Sequence, residues 1–128
     1  MSMAPPVPSK PVVLLVDDEA DIREVMALNL REHFEVETAA SPSEAEMMLS
    51  TRSFDVIVCD HLMPEEEGLR FLVRARRQFP GVQRILLTGY FNPELLSRST
   101  TAAGLVACLT KPVNTAELVQ TIRLAVPA

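Results

Sequence analysis

The chain has 128 residues and a mass of 14.1 kDa, with 48% hydrophobic and 23% charged side chains; 12 basic against 17 acidic residues leave a net charge of −5 at pH 7. A chain of this length forms one domain that buries about two-thirds of its unfolded surface in a single core. Two lysines, Lys10 and Lys111, and ten dispersed arginines offer no basic stripe for a phosphate backbone, which argues against direct nucleic-acid binding by this segment. The longest apolar stretch, Ala102 to Leu109, is far short of the ~20 residues that a bilayer span needs. No basic region precedes the apolar run Val12 to Val16, which ends in two aspartates, so no secretory signal is expected and the chain is placed in the cytoplasm. Cys59 and Cys108 sit inside apolar runs, where a free thiol packs as a small hydrophobe, and neither has the paired His spacing of a metal site.

Four prolines among the first eleven residues (Pro5, Pro6, Pro8, Pro11) predict an extended, flexible leader over residues 1–10, with the folded domain over 11–127. Val12–Val16, Val56–Cys59, Ile85–Leu87 and Leu105–Leu109 are short continuous apolar runs, the pattern of strands buried on both faces of a parallel sheet. Phe34–Thr38 alternates apolar with acidic or polar residues and reads as an edge strand, second in order. Ser41-Pro42-Ser43-Glu44 is a capping box with proline at the first helical position; Asn114 to Glu117 repeats the geometry, and Asn92-Pro93-Glu94 opens another helix. Core-facing stripes are expected at Ile22, Val25, Met26 and Asn29/Leu30, at Leu69, Leu72 and Val73, and at Leu118, Ile122 and Ala125. Five strands alternating with five helices define an α/β fold, (βα)5 and doubly wound, because right-handed crossovers place helices on both faces.

The polar residues fall at one kind of place. The strand runs end in Asp17-Asp18, in Asp60, in Thr88 and just before Lys111. In an open α/β sheet the carboxyl ends of the strands form a common rim, where ligands bind. Any one aspartate there is usually a cap or a turn residue. Three carboxylates, a hydroxyl and an ammonium at four strand ends form a constellation. Close carboxylates repel by roughly 4 kcal/mol per pair at an effective dielectric near 20, so they call for a cation. Hard oxygen ligands with incomplete protein coordination suit Mg²⁺, which recruits phosphate oxygens. Asp60 would then be a nucleophile toward phosphorus, Asp17 and Asp18 metal ligands, and Thr88 and Lys111 holders of the phosphoryl oxygens.

Leu-Leu-Val-Asp17-Asp18-Glu19, Asp60-His-Leu-Met63-Pro64 followed by Gly68, Leu-Leu-Thr88-Gly89 and Leu-Thr-Lys111-Pro112, in this order and spacing, resemble the receiver domain of bacterial two-component response regulators over residues 12–126. The resemblance implies a flavodoxin-like five-stranded sheet of order 2-1-3-4-5. It also implies that Asp60 accepts a phosphoryl group from a phosphohistidine on a sensor histidine kinase or histidine phosphotransfer protein. Mg²⁺ would be held by Asp18, Asp60, the Leu62 backbone carbonyl and, through water, Asp17. Lys111 would pair with the phosphoryl group, with its bond to Pro112 cis. Gly89 would keep the approach beside Thr88 open, and Leu62 and Tyr90 would impede the water that hydrolyses the acyl phosphate.

The chain departs from the pattern at Cys108, where receivers usually carry an aromatic residue that swings inward on activation. A route through Tyr90 and Phe91 is the expected substitute. Leu105-Val106-Ala107 also lacks the acidic residues that many DNA-binding regulators use for dimer salt bridges. His61 reads as an exposed loop residue without a role, Glu65-Glu66-Glu67 as a solvated loop, His33 as surface and Met47-Met48 as core. Three alternative readings fit less well. A flavin protein would need a Ser/Thr/Gly-rich loop where Asp17-Asp18 stands. A haloacid-dehalogenase-like phosphatase would need an Asp-x-Asp nucleophile motif that Asp18-Glu19-Ala20 lacks. A receiver-like binding module that works without phosphorylation would not need the intact acidic pair, acceptor, hydroxyl and lysine. The sequence names no output, attached or separate.

Overall fold

The computed structural model describes residues 10–89 and 93–126; the leader expected over residues 1–10, apart from Lys10, lies outside them, as do Tyr90 and Phe91. The capping signals act as predicted: Ser41 Oγ accepts from the Glu44 amide at 3.2 Å, Glu44 reaches back to the Ala40 amide, and Asn114 Oδ1 accepts from the Glu117 amide. In chain order the elements are β1 (Val12–Val16), α1 (Ala20–Leu30), β2 (Glu35–Ala39), α2 (Pro42–Thr51), β3 (Val56–Asp60), α3 (Gly68–Gln78), β4 (Gln83–Thr88), α4 (Pro93–Ala103), β5 (Ala107–Thr110) and α5 (Thr115–Ala125).

All strand pairs are parallel and the order is β2-β1-β3-β4-β5. The apolar runs of β1, β3 and β4 are buried because both faces are covered. Leu14, Val16, Ile57, Cys59 and Leu86 face α2, α3 and α4 with Phe71, Leu72 and Ala103; Val13, Leu15, Val58, Ile85 and Leu87 face α1 and α5 with Leu30, Leu118 and Ile122. Alternation across the central strands thus divides one sheet between two apolar layers.

Several expectations change. The fifth strand begins at Ala107 rather than Leu105, because Gly104, at φ +59°, turns the chain out of α4 and Leu105 still bonds back to the Thr100 carbonyl. It is half-buried, since only β4 flanks it. In α1 the core face is Ala27 and Leu30 with Met26 at its edge, while Ile22 and Val25 are exposed, Val25 by 61%. The small Ala27 carries the close packing that the larger residues had suggested for another face. Met47 is exposed and only Met48 packs against the core; His33 is half-buried and meets the Arg123 guanidinium.

Arg84 lies within β4, only 7% exposed. Its guanidinium donates to the carbonyls of Ala103 (2.7 Å), Val82 (2.6 Å) and Gly104 (3.3 Å). Arg76 on α3 donates to Thr101 and Ala102. Two cations therefore satisfy the carbonyls that the end of α4 leaves without partners. Burial, with the nearby Arg76 charge, lowers the Arg84 pKa from its usual value. Arg84→Met keeps the aliphatic stem but removes every donor, and is expected to cost roughly 2 to 3 kcal/mol. That corresponds to about 10 °C in melting temperature for a domain of this size. A thermal melt that falls by less than about 2 °C would refute this role.

Candidate functional site

The register of the sheet assembles the rim. Val16 pairs with Cys59, so Asp17 and Asp60 leave adjacent strands side by side where the strand order reverses. Asp60 pairs with Leu87, Thr88 pairs with Thr110, and the Lys111 amide donates to the Thr88 carbonyl at 2.8 Å. The Lys111–Pro112 bond is cis, as expected.

Carboxylate oxygens of Asp17, Asp18 and Asp60 all lie within 4.8 Å of one another. Asp60 is 4% exposed, and Lys111 Nζ lies 2.6 Å from its Oδ1. Burial tends to lower the Lys111 pKa, but the hydrogen bond and charge of Asp60, with Asp17 and Glu19 beyond, outweigh it and the net shift is upward. Asp17 is raised, chiefly by burial and further by the Asp60 charge, against the hydrogen bond that its Oδ1 accepts from the Glu19 amide at 2.9 Å. Arg23 on α1 holds the Asp17 backbone carbonyl at 2.7 Å, a support that the sequence did not reveal. Thr88 is buried at the end of β4.

Whether this cluster suits a divalent cation can be judged from its donors. Asp17 Oδ2 and Asp18 Oδ1 are buried and accept no hydrogen bond. Buried acceptors without donors are rare and costly unless a cation completes them. All the side-chain donors are hard oxygens, which fit Mg²⁺. Leu62 lies two residues beyond Asp60 with an exposed side chain, and among the described residues its carbonyl accepts from no backbone amide.

The β3–α3 loop differs from expectation. The His61 side chain is only 13% exposed, its Nδ1 is buried without a partner and its Nε2 is 3.9 Å from Glu67. Glu66 is no solvated residue: it forms a two-pronged pair with Arg74 at 2.6 and 2.7 Å, which lowers its pKa. Glu65 receives the Ser43 amide and hydroxyl at the start of α2, each at 3.1 Å. At Gly68 a Cβ would stand 2.0 Å from the Asp60 carbonyl oxygen, so only glycine lets α3 begin so close to the acceptor strand. At Gly89 a Cβ would meet nothing within 4 Å among the described residues.

Cys59 and Cys108 are free thiols in register across Leu86. Two strand spacings, about 9 to 10 Å, exceed the ~7 Å Cα limit for a disulfide. Burial raises both thiol pKa values, Cys59 strongly, so neither is a thiolate nucleophile near neutral pH. Cys108 packs partly buried against the α3/α4 layer, in the place expected for an aromatic switch.

A doubly wound 2-1-3-4-5 sheet with an acidic triad and a lysine at its switch point defines a receiver-type α/β domain. The family profile described as "Response regulator receiver domain" matches residues 13–123, and the chain belongs to that family. It is 36% identical over 114 residues to the hydrogenase transcriptional regulatory protein HoxA of Bradyrhizobium diazoefficiens, covering 89% of this chain and 24% of that one. It is 38% identical over 105 residues to protein-glutamate methylesterase/protein-glutamine glutaminase 2 of Hahella chejuensis, covering 78% and 28%. The chain thus spans about a quarter of the length of these relatives. Among solved structures, the CheY-like response regulator receiver domain protein of Methanospirillum hungatei matches with a TM-score of 0.83 and 32% identity over 91% of this chain and 93% of the other. No helix among the described residues is long and apolar enough to cross a membrane.

The raised Asp17 pKa makes a signed prediction for the metal-free protein. An aspartate whose folded pKa lies above its unfolded value of 3.8 destabilises the fold when ionised, and contributes nothing once the pH is below both values. With EDTA present, Asp17→Asn should raise the melting temperature at pH 7, and the gain should vanish as the pH falls below 3.8. A gain that persists at pH 3 would contradict the electrostatic origin.

Proposed function

We propose that Asp60 accepts a phosphoryl group from a phosphohistidine, presented in the cytoplasm by a sensor histidine kinase or a histidine phosphotransfer protein, in a Mg²⁺-dependent reaction that switches an attached or separate output. The carrying observation is the place of Asp60: a buried carboxylate against an ammonium, within 4.8 Å of two more carboxylates that present unpartnered oxygens. Asp18, Asp60, the Leu62 carbonyl and, through water, Asp17 would hold Mg²⁺. When bound, that ion neutralises the carboxylates and the equatorial phosphoryl oxygens.

The protein's own groups position and stabilise. A carboxylate oxygen of Asp60 forms the P–O bond as the P–N bond breaks and the imidazole departs. Lys111 redirects its ammonium from Asp60 alone to the phosphoryl oxygens, and Thr88 offers its hydroxyl to another. The bulky Leu62, exposed two residues beyond Asp60, would impede the hydrolytic water. The phosphoryl group ends on the protein itself, so no turnover of an external ester is expected. The absence of an Asp-x-Asp at Asp18-Glu19-Ala20 also disfavours the phosphatase alternative.

Acetyl phosphate with Mg²⁺ should add one phosphoryl mass to the intact protein. Asp60→Asn should abolish that addition, and equal labelling of Asp60→Asn by mass spectrometry would overturn the acceptor assignment.

The exposed apolar face of α1 supports a macromolecular donor. Ile22, Val25, Met26 and Asn29 line a groove of about 350 Å³ with Val113 and Thr115, which follow Lys111 closely in the chain. An apolar groove beside the rim fits a helix that brings a histidine to Asp60. Val25→Asp should slow transfer from a phosphohistidine protein at least tenfold while leaving labelling by acetyl phosphate unchanged. Equal slowing with both donors would instead indicate damage to the site.

A further inference from the structure

We propose that Arg74 is a positioning residue for the cation site, acting through Glu66 on the loop that carries the Leu62 carbonyl. The inference rests on the function proposed above and extends it to α2 and α3. Between the His61 amide, bonded to the Leu87 carbonyl, and the Gly68 amide, bonded to the His61 carbonyl, the loop has little backbone support. Among the described residues, no backbone group of residues 62–66 bonds to another backbone group. Side chains hold it instead.

Met63 is buried in the α2/α3 layer and anchors the loop without fixing its rotation. Glu65 is bound at the start of α2 by Ser43. Glu66 is gripped by both terminal nitrogens of Arg74, while Arg74 Nε pairs with Glu46 on α2. One guanidinium therefore ties the loop to two helices at once. A bidentate guanidinium–carboxylate pair fixes orientation as well as distance. The loop's two tethers follow Leu62 by three and four residues and set the path that its carbonyl takes past Asp60. Groups that orient a ligand without touching the ion commonly govern its affinity by tenfold or more.

Charge alone predicts a different outcome. Removing the positive Arg74 would make the rim more negative and tighten a divalent cation, whereas removing the negative Glu66 would loosen it. Positioning predicts that both changes loosen it. The test is Mg²⁺ titration by calorimetry of the full chain and of Arg74→Met, Glu66→Gln and Arg74→Lys. Amide hydrogen exchange of residues 61–67 is followed in the same proteins without metal. Arg74→Met and Glu66→Gln are each expected to raise the Mg²⁺ dissociation constant roughly tenfold and to speed loop exchange, with Arg74→Lys recovering part of the loss. Tightening in Arg74→Met with loosening in Glu66→Gln would replace positioning by simple electrostatics. Unchanged affinity in both would overturn the role of Arg74 while leaving the acceptor site intact. If Arg74→Met does not fold, the Glu66→Gln result with its exchange data decides in the same way, since unchanged loop exchange there refutes the tether. Absence of Mg²⁺ binding by the parent chain would instead overturn the proposed function itself.

Discussion

Three carboxylates and one ammonium share a partly buried rim, and the imbalance between them governs the domain's design. Lys111 can satisfy Asp60 but not also Asp17 and Asp18, whose inward oxygens lack donors. A fold organised only for stability would not retain such a cluster, because each unpaired buried charge costs more than its neighbours return. Under the proposed function, a cation and a group rich in oxygen complete the site. The parallel sheet makes this possible at low cost to the rest of the core, since every strand delivers its last residue to the same edge while its interior stays apolar.

Holding the rim in shape falls to local devices. Gly68 allows the first turn of α3 to lie against the Asp60 carbonyl, and its amide closes the loop onto His61. Arg23 fixes the Asp17 carbonyl from α1, and the Glu19 amide orients the Asp17 carboxylate. These contacts come from the starts of α1 and α3, which pack on opposite sides of the sheet, so the acidic cluster is braced from both faces.

The fold was legible because its signals are local and redundant. Apolar runs, proline and serine at Ser41-Pro42, and Asn114 each report one element, and their alternation leaves few topologies. The sheet order itself came from resemblance, since strand pairing is not written in hydropathy. The five rim residues were legible because strand ends converge whatever the helices do. What escaped were distances between helices. Nothing in Glu65-Glu66-Glu67 says that Ser43 and Arg74 will stand opposite, so an acidic run looked solvated although two of its members are bound. In α1 two apolar faces compete, and the choice between them depends on how closely Ala27 can approach the sheet, a property of packing that periodicity alone does not contain.

The separation of rim from helices also bears on how one receiver can serve different outputs. The relatives include a transcriptional regulator and a protein-glutamate methylesterase, each about four times as long as the matched segment. What they share with this chain is the matched segment, 36% and 38% identical; the rest of each relative lies beyond it. Here the end of α4 is pinned by Arg84 and Arg76 through four hydrogen bonds to residues 101–104. Its beginning follows the Thr88-Gly89 corner of the rim. A displacement of α4 that keeps these bonds is a pivot about its carboxyl end, with the largest movement nearest Thr88. A small partly buried thiol at Cys108, packed against the same layer, offers such a pivot no aromatic lever on β5. On the proposed function, coupling between site and surface would run along α4 from the Thr88 end, with the buried Arg84 and the exposed Arg76 as its fulcrum.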